Sequence, residues 1–437
     1  MNLEGPAPAP GRPEPPAPER APPAPPPDAA RTPPPRADAF AALRHRDFRV
    51  FYLGQLLSLA GGWMQTTAQG WLVLDLTDSE LLLGVVTAVS SLPTLLFTLY
   101  AGAVADRTDK RRIILWADAA MAGIALALAV LTGTGRIGYP LLLGLVFLMG
   151  TANAFEVPTR QSFFVDLVGP RDLPNAIALN SSAFNASRIV GPAIAGWLIG
   201  AAGVAACFYA NAVSFLAVIA GLLMMRLPPF RAPERTASTL ENIREGLAYI
   251  RGTRVVRTLV WLIAAMSITA FPFTMLLPVF ARDVLRVGAT GLGWLLSATG
   301  TGALAAGIAL AAWGGRFRRG RLVLGACLAF ALCLTAFTLS RSFPLSMALL
   351  AMTGFTMILN NATLNALLQS LVPDRLRGRV MSVYVFMFIG MAPLGALQAG
   401  ALARWLGAPA ALRVGAAALV LVLAWIAWRI PELAETR

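Results

Sequence analysis

The sequence predicts an all-α membrane protein, with twelve transmembrane helices in two pseudo-symmetric six-helix bundles. Three observations predict it. The chain of 437 residues is 57% hydrophobic and only 13% charged, where a soluble domain carries about 25% charged residues. Twelve apolar runs are long enough to cross a bilayer, each crossing needing about 20 residues. The cations gather in short turns between those runs. The net charge of +14 therefore marks topology rather than a nucleic-acid-binding face.

Residues 1–36 are rich in Pro and Ala with scattered charge. Such a segment cannot bury a core and is expected to be a disordered tail with polyproline character, either simply solvated or serving as an SH3-type ligand. It has no apolar run and so is not a signal peptide. Residues 38–49 form an amphipathic lead-in, with Phe40, Leu43 and Phe48 on lipid and Arg44, Arg46 and Arg49 toward headgroups. The apolar runs fall near 50–74, 80–104, 112–132, 138–158, 177–200, 205–226, 258–281, 291–313, 321–340, 344–367, 379–403 and 409–428. The predicted organisation is a first bundle over 37–226, a linker over 227–257, a second bundle over 258–430 and a tail over 431–437. Within the linker, Leu240, Ile243, Leu247 and Ile250 recur at helical spacing between Thr239 and Arg251. This predicts an amphipathic helix on the membrane surface.

The turns on one side of the predicted spans carry 20 cations and those on the other side 6. Cations favour the cytoplasmic face. Both termini and the linker are thus expected inside, in a multi-pass protein of a bacterial-type inner (plasma) membrane. The halves also repeat: Gly150, Thr159, Leu167 and Val168 recur as Gly354, Thr363, Leu371 and Val372 at a constant offset of 204. Parallel six-helix repeats of this kind are a transporter architecture.

Composition excludes much chemistry. There is one histidine, His45, and the three cysteines, Cys207, Cys327 and Cys333, lie in apolar stretches without metal-ligand spacing. No metal, cofactor or nucleic acid is expected. No nucleophile–base pair or nucleotide loop is visible, so an enzyme is not expected.

Four groups of residues stand out. The first is the charged turn from Gly102 to Arg112, of the form G-x-x-x-D-R-x-x-[KR]-R-R. Gly102 lets another backbone approach closely. Asp106 can accept from helix N-terminal N–H groups or pair with an arginine. Arg107, Arg111 and Arg112 complete a latch, or else only anchor the turn at the headgroups. The second is the run Ser187 to Gly196, where Pro192 kinks the helix and Gly191 and Gly196 permit close packing.

The third group is ionisable residues at membrane depth: Asp118, Glu156 and Arg188. Such groups are costly unless paired or functional. Pairing Arg188 with Glu156 or Asp118 would satisfy both charges. Glu156 and Asp118 are the candidates for carrying a proton, and a static ion pair is the alternative. The fourth is polar pairs one helical turn apart, Gln65 with Gln69 and Asn361 with Asn365. They either line a substrate cavity or bridge helices.

The 102–112 turn resembles the signature loop between helices 2 and 3 of major facilitator superfamily transporters. The resemblance implies a latch of span 2 against span 11, near Gly378 and the side chains of Arg375, Arg377 and Arg379, while the cytoplasmic side is closed. The 187–196 run resembles the span-5 motif of exporters in that superfamily, with Ser187 and Ala195 at glycine places. The stretches 48–84, 150–196 and 371–384 together resemble one branch, the enterobactin-exporter-like and macrolide-efflux-like permeases, or transmembrane secretion effectors. That branch implies export of a small amphiphilic molecule by alternating access, driven by proton antiport. The implied partners are a siderophore-, macrolide- or drug-like substrate, protons and membrane lipids, with the protein a monomer. The alternatives are an uncoupled facilitator or lipid flippase of the same fold, or a non-transporting receptor or assembly partner.

Overall fold

The computed structural model describes residues 40–226, 239–314 and 317–436. The Pro-rich segment 1–36 and residues 227–238 of the linker lie outside them. Among the described residues the chain forms helices and turns and no strand.

The first half contains α1 (Arg46–Thr77), α2 (Glu80–Arg107), α3 (Lys110–Gly133), α4 (Tyr139–Ala202) and α5 (Val204–Met224). Their starts follow from capping chemistry. The Ser79 hydroxyl accepts from the Leu82 N–H at the head of α2, and the Asp109 carboxylate accepts from the Arg111 N–H at the head of α3. α4 has 64 residues, about 96 Å at 1.5 Å per residue, which is too long for one bilayer core of about 30 Å. It breaks at Gly169, whose φ of 72° is left-handed, just before Pro170. The expected crossings 138–158 and 177–200 lie on either side of that break.

The second half begins with the linker helix α6 (Thr239–Gly252), followed by α7 (Arg254–Thr269) and α8 (Phe273–Val279). α8 runs into a π-helical turn over Phe280–Val284. Then come α9 (Gly288–Trp313), α10 (Arg319–Leu339), α11 (Phe343–Leu371), α12 (Asp374–Gly390), α13 (Ala392–Leu406), α14 (Ala408–Arg429) and the short α15 (Glu432–Glu435). The expected crossing 258–281 is interrupted between α7 and α8, and 379–403 between α12 and α13. Among the described residues, ten helical segments are long and apolar enough to cross a membrane. α4 covers two expected crossings. α1 is not among the ten, because Gln55, Gln65, Gln69 and several Ser and Thr residues dilute its apolar character.

The repeated glycines do equivalent work in the two halves. A Cβ on Gly150 of α4 would lie 2.5 Å from the Ser90 carbonyl oxygen of α2. A Cβ on Gly354 of α11 would run into the Thr299 carbonyl of α9. Each glycine lets its helix close on the second helix of its own half, where small residues replace hydrophobic drive as the source of helix association.

The halves join at one end. α4 meets α9, and α2 meets α13. A Cβ on Gly196 would lie 2.6 Å from the Ala289 carbonyl oxygen, and one on Gly84 would lie 2.6 Å from that of Ala396. Arg282 crosses between halves as well: its Nη1 donates to the Leu74 carbonyl at 3.0 Å, its Nη2 pairs with Asp78, and its Nε pairs with Asp283 at 2.8 Å. At the opposite, Arg-rich end, the named polar contacts stay within one half. Lys110 binds Asp166 at 2.8 Å, His45 binds Asp172 at 2.8 Å, Arg377 binds Asp374 at 2.6 Å, and Arg379 pairs with Glu245 of the linker helix.

Three segments differ from expectation. Phe48 does not lie on lipid; it is fully buried with Phe51 against Phe163 and Phe164, because α1 starts at Arg46 and carries it into the bundle. α6 occupies the expected place, but it docks on α12. The Tyr249 hydroxyl donates to the Leu371 carbonyl and Ile250 is buried, while Leu240 and Ile243 have side chains outside the described set. Residues 431–437 are not simply a tail. α15 seats Leu433 in the core, and the Thr436 carbonyl accepts from the Gly320 N–H at 3.1 Å.

Gly354→Val is expected to destabilise the protein by about 1–3 kcal/mol through overpacking of the α9–α11 contact. Gly102→Val, with nothing within 4 Å of its Cβ position, is expected to be close to neutral. Thermal unfolding of both variants in detergent checks the contrast.

Candidate functional site

The deepest charges form one cluster in the first half. Asp118 on α3 and Glu156 on α4 are 2% and 5% exposed. Glu156 Oε1 lies 3.3 Å from Arg160 Nε, one turn along the same helix. Glu156 and Arg160 are the charged groups that act on Asp118. One carboxylate oxygen of Asp118, Oδ2, is buried with no hydrogen-bond partner. Glu156 thus has a guanidinium beside it, and Asp118 lies near enough to both to feel their charge. With both carboxylates ionised the set would have one negative charge in surplus, and an uncompensated buried charge is strongly unfavourable. A single proton on either carboxylate balances it. Chemically, the cluster can take up a proton in a place shielded from bulk water.

Arg188 is a correction to the sequence expectation. It pairs with neither Glu156 nor Asp118. Its guanidinium lies 5.9 Å over the Trp63 ring of α1, a cation–π contact. Trp63 in turn packs edge-on against Phe184 at 5.7 Å. The partner that takes its place is Arg160, which from sequence counted only among the turn cations. The signal was present in the i, i+4 spacing of Glu156 and Arg160 on one helix.

The second run, Ser187 to Gly196, is a packing device on two sides, against α1 and α9. A Cβ on Gly191 would lie 2.6 Å from Trp63 Cβ and 2.8 Å from the Ala60 carbonyl of α1. Gly196 faces α9. Pro192 has no N–H, so the Arg188 carbonyl loses its helical donor. α9 closes on that place: the Cβ position of Gly300 is 3.1 Å from the Arg188 carbonyl oxygen, and the Ser297 hydroxyl donates to the Ile189 carbonyl at 2.6 Å. The freed backbone and the cross-half contact therefore coincide.

The polar pairs separate. The buried Gln65 accepts from Asn211 Nδ2 of α5 at 2.6 Å, and Asn211 is braced by the Ser214 hydroxyl at 3.0 Å. Gln65 is thereby a bridge between α1 and α5, while Gln69 is half-buried one turn on. Asn361 accepts from the Tyr384 hydroxyl of α12 at 2.7 Å, and Asn365 accepts from Gln369 at 2.6 Å. Both asparagines are half-buried.

The 102–112 turn is loose in this structure. Gly102 was expected to admit a close backbone; nothing lies within 4 Å of its Cβ position, nor of that of Gly378. Arg107 is exposed. Arg111 Nη2 donates to the Leu223 carbonyl at 3.3 Å, and Arg112 Nε lies 3.6 Å from Asp109. The Asp106 side chain is outside the described set. Arg377 and Arg379, expected partners of the turn, are engaged with Asp374 and Glu245.

Residues 37–436 match the profile of a family described as transmembrane secretion effector. A multidrug efflux pump, Tap, of Mycolicibacterium fortuitum is 29% identical over 385 residues, covering 86% of this chain and 93% of the relative. A staphyloferrin A transporter of Staphylococcus aureus is 26% identical over 368 residues, covering 80% and 87%. Among solved structures, an inward-facing bacterial homolog of the human lysosomal transporter Spinster superposes with a TM-score of 0.71 at 14% identity, covering 90% of this chain and 97% of that one. A D-xylose–proton symporter superposes with a TM-score of 0.66 at 14% identity, covering 89% and 100%.

Arg160→Met is expected to destabilise the protein by about 3–5 kcal/mol, because it leaves two buried carboxylates with no cation. Adding Glu156→Gln to it restores much of that loss. A double-mutant cycle by thermal unfolding in detergent measures the coupling; strictly additive effects would contradict the pairing.

Proposed function

Because this chain belongs to the transmembrane secretion effector family of the major facilitator superfamily, we propose that it is a secondary active transporter exporting a small amphiphilic molecule by proton antiport. The observation that carries the reading is the asymmetry of the contacts between halves. They concentrate at the end holding Arg282, Gly84 and Gly196, while the Arg-rich end is tied only within each half. In this reading twelve crossings form two six-helix bundles, and the Arg-rich end and both termini face the cytoplasm. The molecule is then open inward, in the sense of the inward-facing Spinster homolog.

Alternating access follows by rocking one bundle against the other. Outward opening must break the Arg282 contacts and part the Gly196–Ala289 and Gly84–Ala396 crossings. The cytoplasmic side then closes, and the 102–112 turn meets the start of α12; Gly102 and Gly378 are free to receive a backbone there. The Asp118–Glu156–Arg160 cluster supplies the coupling. It holds one proton at balance, so a state that admits water to it from one side exchanges that proton with that side. Coupling needs only that the two states hold the proton with different affinity. Gln69, Asn361 and Asn365, half-buried among apolar walls, suit a neutral or weakly cationic amphiphile of the siderophore, macrolide or drug kind. The efflux pump and siderophore transporter relatives support that substrate class.

Two outcomes are expected. In liposomes with an imposed pH gradient and an internal pH dye, adding siderophores, macrolides or cationic dyes singly should produce substrate-dependent proton flux that is lost in Glu156→Gln. Substrate movement without proton flux would make the protein an uncoupled facilitator, and movement of nothing would favour a receptor or assembly role. Separately, Arg282→Ala should shift the population outward. A single cysteine at Thr290 in a cysteine-free background should then react roughly fivefold faster with an impermeant thiol reagent added from outside.

A further inference from the structure

A second constellation of cations lies away from the interface between halves. At the Arg-rich end, α7 and α14 leave a groove of about 570 Å³. Arg254, Arg257 and Arg429 stand at its mouth, and Trp261, Val422 and Trp425 line it toward the middle of the helices. All three arginines are exposed. Among the described residues no carboxylate lies within ion-pair distance of any of them. The polar contacts named for them are to backbone and ring. Arg254 Nη2 donates to the Arg429 carbonyl at 2.6 Å, Arg257 Nη1 donates to the Arg251 carbonyl at 2.7 Å, and the Arg429 guanidinium lies 4.6 Å over the Trp428 ring.

Each guanidinium has five donors, so most of this donor set is unspent. Three like charges held together at one groove repel unless an anion lies among them. Below them the groove is apolar: Trp261 and Trp425 are 65% and 55% exposed, with their rings placed where an aromatic belt meets lipid. A small anion would satisfy the mouth and leave the apolar length bare. A neutral lipid would cover the length and leave the three cations unbalanced. A phospholipid with net negative charge satisfies both.

We propose that the groove between α7 and α14 binds an anionic phospholipid, its phosphodiester held by Arg254, Arg257 and Arg429 and one acyl chain laid along Trp261, Val422 and Trp425. Basic pockets between helices at a membrane surface recognise headgroups in this way. The inference needs only that the chain crosses a bilayer, and it is independent of what the chain transports.

The test uses the full chain in phosphatidylcholine nanodiscs carrying a minor fraction of phosphatidylglycerol with a photoactivatable group in one acyl chain. After irradiation, adducts are mapped by peptide mass spectrometry. Adducts are expected to concentrate in 254–265 and 422–430, and to fall roughly tenfold at those places when the probe is photoactivatable phosphatidylcholine. The triple variant Arg254→Gln/Arg257→Gln/Arg429→Gln should lose them to the same degree. Arg318→Gln/Arg319→Gln/Arg321→Gln, at another Arg-rich turn, should keep them. The charge-keeping triple change to Lys should retain most of the adduct and guards against a folding defect. Excess inorganic phosphate should leave the adduct in place. Adducts spread evenly over the lipid-facing helices, equal yields with the two lipids, or displacement by inorganic phosphate would each overturn the proposal, the last by showing a free-anion site.

Discussion

Helices in a bilayer gain little by burying apolar side chains against one another, since lipid tails are equally apolar. What holds this chain together is close approach of backbones at small residues, and the whole arrangement depends on where those residues fall. Gly196 against Ala289 and Gly293, and Gly84 against Ala396 and Gly400, bring helices of opposite halves into direct backbone contact. Both contacts sit at the same end of the molecule. Neither reaches the Arg-rich end, where the named polar contacts stay within one half. Packed contacts of this kind transmit strain and do not deform smoothly.

The charges obey the same logic. A bilayer interior tolerates an ion only if something nearby compensates it. Glu156 finds Arg160 one turn away, and Arg188 finds the face of Trp63. Among the described carboxylates, Asp118 has a buried oxygen that has no hydrogen-bond partner. Other deep polar groups are bridged between helices, as in the Gln65–Asn211–Ser214 and Asn361–Tyr384 bonds, whereas Asp118 leaves a buried carboxylate oxygen that a proton can satisfy. The Arg254–Arg257–Arg429 groove has the opposite imbalance, cations without an acid, and it lies at the surface, where lipid rather than a proton can complete it.

The deep cluster was partly legible in sequence. Asp118 and Glu156 stand out because an apolar run makes any carboxylate conspicuous. Their common cation did not stand out, because Arg160 lies near the end of its run and resembles a topology charge. Arg188 misled for the reverse reason: its depth suggested an ionic partner, and sequence spacing cannot register an aromatic face contributed by another helix. The same limit explains the polar pairs. Gln65 and Gln69 share a helix face by spacing, yet one meets Asn211 and the other does not, and only the position of α5 distinguishes them.

The sequence by itself determined the helices, their approximate ends and the sidedness of the charge. Those follow from local chemistry: runs of about 20 apolar residues, capping at Ser79 and Asp109, the Gly169–Pro170 break, and arginines in the turns. It also marked Gly150 and Gly354 as equivalent, and the structure puts each at the same kind of crossing. Tertiary structure alone decided which glycines touch, and therefore at which end the halves meet. Gly102 and Gly196 look alike in sequence, but one faces open space and the other a carbonyl. A glycine records that a backbone is permitted to approach; whether one does is set by the long-range placement of another helix.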